Sequence, residues 1–184
     1  MPATAPTPVD WWTLELAFGH VVHGHHAYLD RTTGEVVSIH EELPESREVQ
    51  RRIAGAGDRY LRIEPVSSRD QHRWMARFIT TLADAAMRAR LNAAISQSGA
   101  FKSFKETLQT LPDERDRWFA YRKQMLRVHI ERWFEAHGLL PGPVEPRSAP
   151  ALRQTGHTLL EHLPAADLPT AVTFLMHLGA RPRR

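Results

Sequence analysis

His26-Ala27-Tyr28-Leu29-Asp30-Arg31-Thr32-Thr33-Gly34-Glu35-Val36-Val37-Ser38-Ile39 is the stretch that decides the fold class. Its two flanks, His26 to Asp30 and Glu35 to Ile39, alternate with the period of two that places successive side chains on opposite faces of a strand. Thr32, Thr33 and Gly34 separate them, and a glycine there supplies the backbone freedom of a tight turn. The pattern predicts a β-hairpin. Downstream, Tyr60-Leu61-Arg62-Ile63 alternates again before Pro65 and is expected to be a third strand, so the sheet is small and antiparallel.

Everything around the hairpin reads as helix. Asp10 is placed to cap a short apolar helix carrying Trp11, Trp12, Leu14, Leu16 and Phe18. Residues 45–54 allow a second helix, ended by Gly55-Ala56-Gly57. Ser67 or Ser68 caps a third, in which Trp74, Met75, Phe78, Ile79 and Leu82 recur at spacings of three and four. Asp84 opens a fourth with Met87, Leu91 and Ile95 on one side. Phe101, Phe104, Leu108 and Leu111 make a further stripe closed by Pro112, and residues 113–137 form the longest helix, with Phe119, Leu126, Ile130 and Trp133 assigned to its buried face. The expected fold is α+β: a small antiparallel sheet packed with a mostly helical body.

Residues 138–150 hold four prolines and two glycines and no periodicity. The expected organisation is a disordered segment over 1–9, an α+β domain over 10–137, a linker over 138–150 and a C-terminal helical appendage over 151–184. Leu152, Leu159, Leu160 and Leu163 mark one helix of that appendage, and Leu168, Val172, Leu175 and Met176 another. Two such helices bury too little surface to stand alone.

Cysteine is absent from all 184 residues, which excludes a disulfide framework, a cysteine nucleophile and every thiolate zinc site. No run approaches the ~20 apolar residues of a transmembrane helix. The N-terminus lacks the basic start and apolar run of a signal peptide, and the cytoplasm is the expected location. The net charge of +3 is unevenly spread: residues 1–66 carry −4 and residues 67–105 carry +5. Such segments either complement one another in the fold or leave an anion-binding face.

The chain's recognisable pieces come in a fixed order. Trp-x-x-Leu-x-x-Ala-Phe (Trp11 to Phe18) is followed by Tyr-Leu-Asp and Thr-Gly-Glu-Val (Tyr28 to Val36), then by Arg-Tyr-Leu-Arg-Ile and Ser-Ser-Arg-Asp (Arg59 to Asp70). Gly-Ala-Phe-Lys-x-Phe-Lys (Gly99 to Lys105) and Arg-Trp-Phe-x-Tyr (Arg117 to Tyr121) complete the set. Together they resemble a bacterial uncharacterised protein family, UPF0158, over residues 10–137. The resemblance supports the domain boundary and carries no activity, so no residue acquires a catalytic role from it.

Candidate sites follow from chemistry. His20, His23, His25 and His26 are the densest set of metal-ligating side chains, yet they lie in a helix-to-strand loop without HExxH-type spacing, so no metal and no cofactor is expected. Asp70 with His72, or Glu131 with His129, offers acid–base groups without a nucleophile or oxyanion donor, and the catalytic residues are unknown. The region from Gly99 to Lys105, with Trp118, Phe119, Tyr121, Arg122 and Lys123, interleaves aromatics and cations. Those are the parts of a single-stranded nucleic-acid site, whereas the helical spacing of Phe101, Phe104, Leu108 and Leu111 equally describes a core stripe. Arg69, Arg73, Arg77, Arg88, Arg90, Lys102, Lys105, Arg122 and Lys123 are the candidate anion or nucleic-acid-binding residues. The expected function is a non-enzymatic binding or regulatory module whose partner is a nucleic acid or a protein. Two alternatives stand beside it: a hydrolase of phosphorylated or nucleotide substrates, and an interaction protein oligomerising through its C-terminal helices.

Overall fold

The computed structural model describes residues 6–21, 23–41, 43–44 and 46–143, together with residues 156–157, 160, 168–169 and 171–172. Two compact units are distinguished, Met1–Val144 and Glu145–Arg184. The helices expected over 151–184 fall almost entirely outside the described residues.

The elements of the first unit run α1 (Trp11–Gly19), β1 (His25–Asp30), β2 (Val36–His40), α2 (Ser46–Ala54), a single 3-10 turn (Gly57–Arg59), β3 (Tyr60–Ile63), α3 (Ser68–Thr80), α4 (Ala85–Ile95), α5 (Ala100–Gln109) and α6 (Pro112–Ala136). This is the α+β architecture that the strand alternation and helical stripes predict. The helix starts follow local chemistry. The Asp10 carboxylate accepts the Trp12 N–H, Ser67 Oγ that of Asp70, and Asp84 those of Ala86 and Met87; each satisfies a backbone donor that the first turn leaves without a helical partner. Pro112 does not close the stripe before it. It takes the first position of α6, where a missing N–H costs nothing.

The sheet is antiparallel in the order β2-β1-β3, with Tyr28 opposite Val37 and Arg62, and Leu29 opposite Val36 and Leu61. Its two faces meet different neighbours. Ala27, Leu29 and Ile63 join the main core, whereas Ile39, of opposite parity, is buried outside that cluster on the side where α2 packs against β2. The main core is otherwise helical, with Leu14 and Phe18 of α1, Trp74, Met75, Phe78 and Ile79 of α3, Leu91 of α4, Phe104 and Leu108 of α5, and Trp118, Leu126, Ile130 and Phe134 of α6.

Two polar devices tie distant parts of the chain together. Asp30, buried at the end of β1, accepts Arg59 Nε at 3.0–3.1 Å and Nη2 at 2.7 Å, and also the Thr32 N–H of the turn. The Arg59 hydrogen bonds hold its carboxyl down at about 2, well below the ordinary 3.8. The second is a staple between the chain's first described residues and the end of α6. Thr7 donates to Leu140 O (2.8 Å), Gly142 donates to Thr7 O (2.7 Å), and Trp11 Nε1 donates to Gly142 O (3.0 Å). Thr7 and Leu139 are buried. Residues 7–9 and 139–142, assigned from composition to a lead-in and a linker, are therefore tied to the domain by a parallel bridge, a pairing too distant in sequence to show in either segment. Among the described residues no helix is long and apolar enough to cross a membrane.

Candidate functional site

α1 ends at Gly19, α3 begins at Ser68, and α5 and α6 cross beside both. Where these four segments meet, the surface opens into a cleft of about 390 Å³. Its floor is the buried aromatic and thioether surface of Trp74, Met75, Phe104 and Trp118, with Phe101 half-buried at the side. Its rim carries Val21 and Phe119, apolar side chains left 72% and 57% exposed. Polar groups come from His20, Ser68 and Gln71, and charge comes from Lys105 and Arg122. No carboxylate lines the cleft among the described residues.

Arg122 is the best-defined of these groups. It projects from α6 toward the end of α1 and donates from Nη2 to Gly19 O at 2.9 Å, capping a carbonyl that the helix end leaves open. A Cβ at Gly19 would meet Leu126 Cδ2 at a tight 3.3 Å and Arg122 Nη2 at an ordinary contact distance of 3.5 Å. Burial pushes the Arg122 pKa below its ordinary value. The group stays charged, and its neighbouring acceptor is a neutral carbonyl. Among the ion pairs of the described residues neither Arg122 nor Lys105 takes part.

The nine basic residues picked from sequence separate into two groups. Lys105 and Arg122 both line the cleft; the others do not. Arg73 pairs with Asp70 at 3.2 Å, and Lys102, 83% exposed, lies 4.0 Å from Glu106. Arg88 caps the turn before α4 by donating to Leu82 O (2.6 Å) and Ala83 O (2.9 Å), and Arg90 reaches Thr110 Oγ1 at 3.4 Å. Arg69, Arg77 and Lys123 are exposed outside the cleft. The aromatic group divides as well. Phe104 and Trp118 are core, in edge-to-face contact at 4.9 Å, as a helical stripe requires, while Phe119, assigned to the buried face, is exposed. The buried residues of α6 are Trp118, Leu126, Ile130 and Phe134; Phe119, seven residues before Leu126, keeps the helical spacing of that line but stands at the open rim of the cleft, where it stays 57% exposed.

The other sequence candidates assemble differently. His72 Nε2 lies 3.0 Å from Ile95 O, and Asp70 accepts Ser67 Oγ at 2.7 Å, so they do not act on one another. His129 sits edge-on between Phe18 and Trp74; burial pushes its pKa below 6.5, against the opposing pull of Asp70. None of the three lines the cleft. Of the histidine run, His20 does, donating from Nδ1 to Leu16 O (3.3 Å). The His25 and His40 rings lie 4.6 Å apart, tilted at 50°, and His26 donates from Nε2 to Glu41 (2.7 Å) while its Nδ1 accepts from Arg62 (3.2 Å). Among the described residues no three or more His, Cys, Asp or Glu side chains are grouped to hold a metal ion. Gly19, Val21, Ser68, Gln71 and Trp74 complete the cleft and were not distinguishable in sequence as site residues. Gly19 and Arg122 are 103 positions apart, and no local pattern links them.

The sequence model of an uncharacterised protein family, UPF0158, matches residues 5–147, a span that takes in both arms of the Thr7–Gly142 staple. A UPF0158 protein of Pseudomonas aeruginosa is 29% identical over 127 residues, covering 69% of this chain and 82% of the relative. No solved structure matches the chain.

Proposed function

Since the chain belongs to the uncharacterised protein family UPF0158, which brings no reaction with it, we propose from the cleft that it is a non-enzymatic binding module of the bacterial cytoplasm that takes an anionic ligand. The observation that carries this reading is the charge of the lining: two cations, no carboxylate, and an apolar floor. A low-dielectric wall strengthens the field of a nearby charge, so Lys105 and Arg122 attract an anion more strongly there than on an open face. The floor and the exposed rim favour a ligand with an apolar or aromatic part beside its negative group.

A hydrolase needs a general base within hydrogen-bond reach of the bound substrate. Asp70, His72 and His129 stand outside the lining, and the imidazole that does line it, His20, is exposed at a helix end. Binding therefore has more support than turnover. A regulatory role follows if occupancy changes what the module contacts. Calorimetric titration of the full chain with inorganic pyrophosphate at two salt concentrations tests the reading. Binding is expected to weaken as salt rises, to fall in Lys105→Glu, and to persist in Lys102→Glu, whose side chain is off the cleft. Equal loss in both variants, or no binding at low salt, would remove the cleft from the proposal.

A further inference from the structure

Resting on the anion-binding reading and narrowing it, we propose that the cleft recognises one nucleotide unit with a terminal phosphate: the phosphate between Lys105 and Arg122, and the base against Phe119. A phosphomonoester carries about −1.5 to −2 charges at neutral pH, which matches two uncompensated cations better than does the single charge of a carboxylate or an internal phosphodiester. The cleft, at about 390 Å³, lies toward the small end of ligand-sized pockets, about 300–1,000 Å³. It suits one unit, not a track of several.

The remaining cations argue the same way. A strand-binding groove repeats positive charge along its length, but Arg73, Arg88 and Lys102 are engaged with Asp70, the carbonyls of the turn before α4 and Glu106. Arg69, Arg77 and Lys123 are exposed, but none of them lines the cleft, whose charge among the described residues comes from Lys105 and Arg122. Phe119 is 57% exposed within a helix whose other large aromatics are largely covered, and a flat heteroaromatic ring is the natural cover for such a face. At the start of α3, Ser68 and the side-chain carbonyl oxygen of Gln71, whose amide nitrogen donates to Val66 O at 3.0 Å, supply hydrogen-bonding groups for a base edge.

Trp74 and Trp118 both line the cleft, so tryptophan emission reports occupancy without a label. The full chain is titrated with adenosine 5′-monophosphate, ribose 5-phosphate, and adenylate pentamers with and without a 5′-phosphate. Adenosine 5′-monophosphate is expected to bind about 10-fold or more tightly than ribose 5-phosphate. Phe119→Ala removes that difference and leaves ribose 5-phosphate unchanged, while Arg122→Gln weakens both. Lys105→Gln, at an exposed position, repeats the second effect without touching the α1 end. Equal affinity of the two phosphates overturns the nucleotide inference and leaves the anion reading standing. Failure of both to bind overturns the two together. If the phosphorylated pentamer matches the mononucleotide, the source is a strand end; if it does not bind, the source is a free nucleotide. A pentamer that binds equally well without its phosphate overturns the terminal-phosphate claim.

Discussion

Replacing Asp30 by Asn removes one negative charge while keeping the side chain's shape. The amide oxygen still accepts the Thr32 N–H (2.9 Å in the wild type), so the turn bond is retained and the loss falls on Arg59. The Asp30 carboxyl is held at about 2 instead of 3.8, chiefly by its hydrogen bonds to Arg59. Each decade corresponds to about 1.4 kcal/mol, and Arg59 is 46% exposed; allowing for screening on that side leaves about 1–2 kcal/mol. The melting temperature at pH 7 should fall by about 3–6 °C. The pH dependence gives a sharper test. A depressed carboxylate pKa stabilises the folded state above the ordinary value, and that contribution disappears as pH falls from about 4 toward 2. The wild type should lose it across that window, and Asp30→Asn should show a correspondingly shallower acid slope. Thermal melts followed by circular dichroism at pH 7, 5, 4 and 3 measure both effects. Wild-type stability at pH 7 and an unchanged acid slope in the Asp30→Asn variant would refute the assignment of Asp30 as the anchor of the sheet.

Gly34 has φ +75°, and a Cβ there would overlap the Pro8 carbonyl oxygen; Gly34→Ala should cost about 3 kcal/mol or more, seen as a lowered denaturation midpoint, and an unchanged midpoint would show that the contact yields freely. Gly19→Ala has no such backbone strain and presses only on the flexible end of Leu126, with Arg122 at ordinary contact distance, so stability should move by less than about 1 kcal/mol and pyrophosphate binding in calorimetry should stay within about two-fold; a several-fold loss would show that the α1 end is more tightly packed. Burial pushes the pKa of His25 below 6.5, with His40 and His26 adding repulsion, and burial does the same to His129. Both imidazoles should therefore titrate below 6.5 by NMR, and His40→Asn should raise the His25 value. Because the folded state disfavours these protonated forms, the two residues withdraw stability as pH falls below 6.5.

What could be read in advance was local. Asp10, Ser67 and Asp84 start helices through contacts two or three residues away, and the hairpin from His25 to His40 is set by alternation and a turn glycine, so short windows contain the physics. The Thr7–Gly142 staple and the cleft are non-local. A composition rich in proline and glycine reads as linker whether or not a distant backbone pairs with it. In Trp118-Phe119 the helical spacing assigned Phe119 to the core, and the packing of α6 against α1, α3 and α5 buries Trp118 instead. Of the nine cations picked from sequence, Lys105 and Arg122 line the cleft and seven do not, because charge in a sequence carries no direction.

The central claim is that Lys105 and Arg122 hold an anion in the cleft between α1, α3, α5 and α6. Two-dimensional ¹H–¹⁵N NMR of the full chain during a pyrophosphate titration tests it most directly, because the Arg122 Nε–H and the backbone amides report at known positions. Saturating shifts at Arg122 Nε–H and at the amides of Gly19, Ser68, Phe101 and Lys105 are the predicted result. Shifts confined to Arg88, Arg90 and Lys102, or none at concentrations where calorimetry shows binding, would contradict it.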